Sequence, residues 1–256
     1  MFKNYLKIAW RNLKKNKGYT AINIGGLALG MAVTLIIGLW VEDELTYNNY
    51  FTNHDHIAQV YQSQTFNGNI STGQAIPRPL EMELREKYGD NFKHLIMSSW
   101  NISRYLGYKE KSLSKNGNYM QRPAPELLDL KIVKGEKDGL REINSVMLSA
   151  SLAHALFGDE DPIGKSVEVN NQYDVAVTAV YEDIPENNSF SDLDFIMPWD
   201  KLLATQEWMR NAADQWGNNS FQMFVQLDEN VTMEGVTETI LNSKQEANES
   251  SVEFDA

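Results

Sequence analysis

The stretch Tyr19-Thr-Ala-Ile-Asn-Ile-Gly-Gly-Leu-Ala-Leu-Gly-Met-Ala-Val-Thr-Leu-Ile-Ile-Gly-Leu-Trp-Val41 runs for 23 residues without a charge. An α-helix needs about 20 apolar residues to cross the roughly 30 Å hydrocarbon core of a bilayer, so this segment can span with some tilt. Two other readings compete. A cleaved signal peptide has an apolar core of about 7–15 residues and small residues at its cleavage site. Here the core is longer and ends in Leu39-Trp40-Val41-Glu42. A buried globular helix shows a polar face, and only Asn23, Thr20 and Thr34 interrupt this one. The segment therefore reads as a transmembrane helix over residues 19–41.

Its flanks set its direction. Lys3, Lys7, Arg11, Lys14, Lys15 and Lys17 precede it with no acid among them, and Glu42, Asp43 and Glu44 follow it at once. Lys and Arg close to a membrane helix stay on the cytoplasmic side. The N-terminus is thus expected in the cytoplasm and residues from about Glu42 onward outside. Within residues 1–18, Phe2, Tyr5, Leu6, Ala9, Trp10 and Leu13 recur every three or four positions, while Lys3, Lys7, Arg11 and Lys14 fall mostly opposite. That pattern predicts a basic amphipathic helix lying in the cytoplasmic interface, anchored by Trp10. Inside the span, Gly26, Gly30, Thr34 and Gly38 repeat every fourth residue and share one face. Small residues spaced in this way let membrane helices approach closely, so these four are the expected helix-packing positions.

The outer part is a different material. All 35 acidic residues lie beyond Val41 with only 17 of the 23 basic ones, a formal charge of −18. Such a surface repels phosphate backbones, so nucleic acid is not an expected partner. There is no cysteine, which excludes disulfides and thiolate metal sites.

Hydrophobic spacing and turn residues give a coarse map of residues 42–256. Ile57–Thr65 reads as one strand. A helix in Ala75–Tyr88, opened by Pro77 and Pro79, carries Leu80, Leu84 and Tyr88 along one side and stops at Gly89-Asp90. Across His94–Glu136, which could form a separate subdomain, short strands at Ser103–Tyr108 and Leu130–Val133 alternate with turns such as Lys115-Asn-Gly-Asn118. Ser149–Phe157 is helical and closes at Gly158. Ser166–Val169 and Tyr173–Val180 pair as a hairpin through Asn170-Asn171. Asp192–Met209 holds a helix starting near Pro198. Phe221, Met223, Val225 and Leu227 alternate with Gln222, Phe224 and Gln226, a strand with one buried face. Thr232–Asn242 is a last amphipathic helix, and Lys244–Ala256 reads as a loose polar tail. Helices and strands in mixed order make an α+β domain preceded by one transmembrane α-helix.

Catalytic signatures fail on inspection. Gly158-Asp-Glu-Asp-Pro-Ile-Gly164-Lys165-Ser166 resembles a phosphate-binding loop. It has five residues between the glycines instead of four, follows a helix rather than a strand, and carries three acids that would repel phosphate. His54 and His56 supply two metal ligands at most, and His94 and His154 do not complete a site. Asp159, Glu160 and Asp161 lack the alternating pattern of a calcium loop. No cofactor, metal site or catalytic residue is expected, and the chain does not read as an enzyme.

Two stretches resemble a known family. The opening Tyr5-Leu-Lys-Ile-Ala-Trp-Arg-Asn-Leu-Lys-Lys-Asn-Lys17, followed by Ala21-Ile-Asn-Ile-Gly-Gly-Leu-Ala-Leu-Gly-Met-Ala32, resembles the start of bacterial FtsX-like ABC transporter permeases. Met147-Leu-Ser-Ala-Ser-Leu-Ala-His-Ala-Leu-Phe-Gly-Asp-Glu-Asp-Pro-Ile-Gly-Lys-Ser-Val167 and Val177-Thr-Ala-Val-Tyr-Glu-Asp-Ile-Pro-Glu-Asn-Asn-Ser189 are similar to their MacB-type periplasmic core domain. The resemblance implies that residues 42–256 are that domain. It implies that Phe157, Gly158, Asp161, Pro162, Gly164 and Lys165 are structural residues of its helix-to-hairpin passage. It also implies a permease subunit whose outer domain moves with a cytoplasmic ABC ATPase, for export, lipoprotein release or signalling. Partners would be that ATPase, a second permease in a homo- or heterodimer, and a periplasmic protein or peptide cargo. Relatives continue into at least three further membrane helices, and nothing in residues 42–256 is apolar enough for one. The chain is therefore expected to be the N-terminal portion of a longer permease. The rival is a stand-alone single-pass periplasmic sensor or binding protein without an ATPase.

Overall fold

The computed structural model describes residues 2–247. It divides between Tyr47 and Asn48 into two compact units. The first holds two helices, α1 (Phe2–Lys15) and α2 (Lys17–Leu45), joined at Asn16. The 29 residues of α2 extend about 43 Å at 1.5 Å per residue, and no residue in it is buried. It is long and apolar enough to cross a membrane, and it overruns the uncharged span at both ends because Lys17 and Glu42–Glu44 continue the helical hydrogen bonding.

The second unit follows in the order β1 (Ile57–Gln59), β2 (Gln62–Phe66), β3 (Asn69–Gly73), β4 (Ile76–Pro77), α3 (Pro79–Tyr88), β5 (Phe92–Ser98), β6 (Ile102–Tyr108), β7 (Lys111–Met120), α4 (Ala124–Leu127), β8 (Ile132–Gly135), β9 (Ser145–Ser149), α5 (Ala150–Phe157), β10 (Ser166–Val169), β11 (Tyr173–Tyr181), β12 (Phe195–Pro198), α6 (Trp199–Thr205), α7 (Glu207–Asn211), β13 (Asn219–Leu227) and α8 (Met233–Ile240). Among the described residues eleven strands make one sheet, and β2 and β3 pair only with each other. Six of the eleven close on themselves, because β6 bonds β7, β7 bonds β12, β12 bonds β9, β9 bonds β11, β11 bonds β10, and β10 returns to β6. Closure removes free edges. Off this ring β7 pairs through Met120 with β5, which continues to β13 and β1. Residues 94–136 thus supply β5 to β8 of the same sheet.

The apolar alternation fills two cores. Leu95 and Met97 of β5 and Met223, Val225 and Leu227 of β13 face one with Leu80, Leu84 and Val236 from α3 and α8. Ile96 and Phe224, on the opposite sides of the same strands, join Phe51, Leu127, Leu128 and Tyr181 in the other. β13 is therefore buried on both faces, where its alternation predicted one. Gln226, on that second face, is buried too, at 7% exposure.

Other expectations shift for physical reasons. The single strand over residues 57–65 is two: β1 follows β13 as far as the Val60 N–H bond to Met223 O, and β2 then leaves that partner to form one arm of a hairpin turned by Asn67-Gly68. The Lys115–Asn118 turn is the interior of β7; the chain turns instead at Lys109, at φ 53. Gly117 marks a close approach to Phe195 rather than a bend. The helix expected to start near Pro198 does so at Trp199, but the residues just before it, 195–198, form β12, parallel to β7, and the helix breaks at Gln206 into α6 and α7. The strand expected at residues 130–133 begins at Ile132. Asn170 and Asn171 do turn their hairpin, at φ 52 and 54. Residues 243–247 are a helical turn with Ala247 buried rather than a loose tail, and Lys244 donates to Gln62 Oε1 at 2.6 Å. Residues 248–256 of that tail lie outside the described residues.

Candidate functional site

The loop between α5 and β10 gathers the motif residues singled out in the sequence. α5 starts cleanly because the Ser149 hydroxyl accepts a hydrogen bond from the Leu152 N–H at 3.3 Å. It ends at Gly158, whose φ of 61 only glycine adopts freely and whose N–H bonds His154 O at 2.8 Å. Phe157, the last helical residue, is 4% exposed and lies under the Tyr108 ring at 4.4 Å. Pro162 is buried, Gly164 sits at φ 76, and its N–H bonds Val177 O at 2.8 Å, so the loop is stitched to β11 before β10 begins.

Two of its three acids, Glu160 and Asp161, are occupied. Glu160 accepts from Lys109 Nζ at 2.7 Å, from the Tyr108 hydroxyl at 3.2 Å and from Lys165 Nζ. Lys109 first, then Lys165, holds the Glu160 carboxyl down at about 2. Asp161 accepts from the Ile163 N–H and pairs with Lys134 at 3.5 Å. Lys165 also lies over the Phe157 ring at 5.6 Å. The arrangement locks β6, β8, α5 and β10 together and leaves no backbone cradle for a phosphate. Of the six motif residues, five (Phe157, Gly158, Pro162, Gly164 and Lys165) stand in this network's apolar floor, turns or cation set. Asp161 lies at its edge with Lys134. Tyr108, Lys109 and Lys134 come from distant segments and carry no motif of their own, so sequence spacing could not find them.

The other expected positions are placed but not brought together with a partner. Gly26, Gly30, Thr34 and Gly38 lie on α2; a Cβ on any of the three glycines would meet no atom within 4 Å, and the Thr34 hydroxyl donates to Gly30 O at 2.9 Å. His54 turns its Nδ1 to Phe51 O at 2.9 Å and its Nε2 to Asp55 at 3.2 Å. Among the described residues no three His, Asp or Glu side chains gather as a metal site.

One feature that spacing did not reveal is a cleft of about 270 Å³ between β6, α6, α7 and β13, lined by Trp100, Arg104, Leu202, Trp208, Met209 and Phe221. Trp208 stacks on Phe221 with ring centroids 5.8 Å apart, and the Trp100 indole N–H donates to Ser220 O at 2.9 Å. Both tryptophans stay half exposed, at 41% and 49%. Such a rigid aromatic mouth suits an apolar side chain.

The chain matches the model of the MacB-like periplasmic core domain over residues 20–242. No curated protein matches it. Among solved structures, a domain of a candidate permease protein from Porphyromonas gingivalis is similar at a TM-score of 0.59 and 19% identity, over 77% of this chain and 83% of that one. The periplasmic region of MacB from Actinobacillus actinomycetemcomitans is similar at a TM-score of 0.54 and 17% identity, over 73% and 83%. A mixed α/β unit following one apolar helix, with the family model covering both, places this chain in the MacB-like periplasmic core domain family of transporter permeases.

Proposed function

We propose that this protein acts in the permease part of a bacterial ABC transporter, joining a cytoplasmic ATPase to movement of a periplasmic domain. The observation that carries the proposal is the family match, which runs without a break from the apolar helix into the outer unit. The build of that unit supports it. A ring of six strands with both faces of its extension covered resists bending, so a shift of the membrane helices is delivered outside as rigid movement. ATP would favour one packing of those helices over another. The basic face of α1, set by Lys3, Lys7, Arg11 and Lys14, is suited to lie at the cytoplasmic surface beside the ATPase. The work done is export, lipoprotein release or signalling, with a periplasmic protein or peptide presented to the outer unit and the Trp100–Trp208 cleft as the place for an apolar side chain. The chemistry of ATP hydrolysis belongs to the partner.

The test is isolation of the full chain from its own membranes in mild detergent, followed by identification of what remains bound. An ABC ATPase should accompany it, and adding ATP with vanadate should shift a fluorophore placed at Glu234→Cys. Recovery without an ATPase, and a fluorophore indifferent to ATP, would overturn the proposal and promote a single-pass sensor.

A further inference from the structure

The ribbon of β2 and β3 stands apart from the sheet, and neither of its outer edges bonds another strand among the described residues. Its turn is Asn67-Gly68, both at positive φ (49 and 78), closed by Phe66 and Asn69. Because hydrogen-bonded and non-bonded positions alternate along an antiparallel pair, Asn69, Ser71 and Gly73 address β2. The N–H and C=O groups of Ile70 and Thr72 then point outward from β3.

Proteins guard open edges with lysine, proline, bulges or covering elements. β3 has none of these. All five of its residues are exposed, its register with β2 is unbroken, and Ile70 is 76% exposed. The 21 residues from Ile57 to Pro77 contain no charge at all, inside an outer part that carries −18. A two-stranded ribbon by itself is marginal in water, whereas six strands of the large sheet in the same unit protect their edges by closing on themselves.

We propose that β3 is a pairing edge for a second copy of this chain, the two β3 strands running antiparallel about a twofold axis at Ser71. The charge distribution selects this occupant. A basic partner would be drawn to the acidic surface and would need no neutral landing, whereas an acidic copy is repelled everywhere except at a neutral segment. The sequence is self-complementary as a twofold contact demands. Ile70 meets the second copy's Thr72 as a hydrogen-bonded pair on each side of the axis, two β-branched residues facing each other. Ser71 meets Ser71 as the close, non-bonded pair, with Cα atoms about 4.5 Å apart.

That register is readable because the chain has no cysteine. The full chain carrying Ser71→Cys, oxidised in its membrane, should form a disulfide-linked species at twice its own mass, the Cα separation lying in the range a disulfide bridges. Asn69→Cys places the two thiols four residues apart along the strands, about 13 Å, and Glu234→Cys sits on the exposed side of α8. Both should give several-fold less dimer. Adding Ile70→Lys and Thr72→Lys to the Ser71→Cys chain puts like charges opposite each other and should lower its yield to that of Glu234→Cys. The exposed ribbon side chains leave the melting temperature unchanged, which separates loss of pairing from loss of fold. A Ser71→Cys yield no higher than that of Asn69→Cys or Glu234→Cys, or one indifferent to the two lysines, overturns the proposal.

Discussion

β7 passes through Gly117 with Ile102 of β6 paired on one side and Phe195 of β12 on the other. A Cβ at Gly117 would lie 2.2 Å from the Phe195 carbonyl oxygen and 2.6 Å from two carbons of its ring, whereas non-bonded heavy atoms settle at about 3.5–4.0 Å. Rotating the phenyl ring cannot relieve the contact with the backbone oxygen. Moving that backbone disturbs a parallel pairing that runs from Phe195 to Pro198. Overpacking of this kind costs about 1–3 kcal/mol, and a clash with backbone in a closed ring belongs at the upper end, about 3 kcal/mol. In a domain of this size each kcal/mol moves the melting temperature by about 2–4 °C, so Gly117→Ala should lower it by about 6–12 °C. The assay is thermal unfolding of the full chain in detergent, followed by near-ultraviolet circular dichroism. Gly73→Ala is the matched control: it lies in β3 with no atom within 4 Å of its added methyl, and it should melt with the parent. A Gly117→Ala protein that melts within about 2 °C of the parent would refute the close approach of β7 and β12.

Two further outcomes follow from the α5 loop. The Glu160 carboxyl is brought down from an ordinary 4.5 to about 2 by Lys109 and Lys165. Its contribution is therefore complete above the unfolded value and is lost as pH falls from 4.5 toward 2. The melting-temperature gap between the parent and Glu160→Gln should be constant near neutrality and close over that window; a gap that persists unchanged at pH 2 contradicts the network. Ser149→Ala removes the hydroxyl that accepts from Leu152 at the start of α5 and should cost about 1 kcal/mol in denaturant unfolding, an unchanged midpoint arguing that the cap contributes nothing.

The membrane helix, the basic head, α3, α5, the Asn170-Asn171 hairpin and α8 could be read from the chain because each rests on local chemistry: an uncharged run, a proline at a first turn, a capping serine, an asparagine turn. What escaped is set by distant partners. Gly117 looks like a turn residue beside Asn116 and Asn118, and only the arrival of Phe195 shows it to be the center of a strand. Phe195–Pro198 lies before a good helix and becomes β12 because β7 and β9 bond it on both sides. The alternation of β13 hides its second buried face, since Phe224 and Gln226 are covered by elements far away in the chain. The Asn67-Gly68 turn is a local signal, but the polar residues around it offer no apolar alternation to mark the strands that flank it. In the α5 loop the turn residues and Lys165 are legible, while the other two cations on Glu160 and Asp161 are not, since Lys109 and Lys134 arrive from distant strands.

In the proposed function α2 carries the outer unit across a membrane and residues 2–15 stay behind. Single cysteines at Lys3 and at Glu234, placed in a chain that has none, can be exposed to a membrane-impermeant maleimide in cells stripped to the inner membrane. Glu234→Cys should be labelled at once and Lys3→Cys only after lysis. Labelling of both positions before lysis, or of Lys3→Cys alone, would contradict that arrangement.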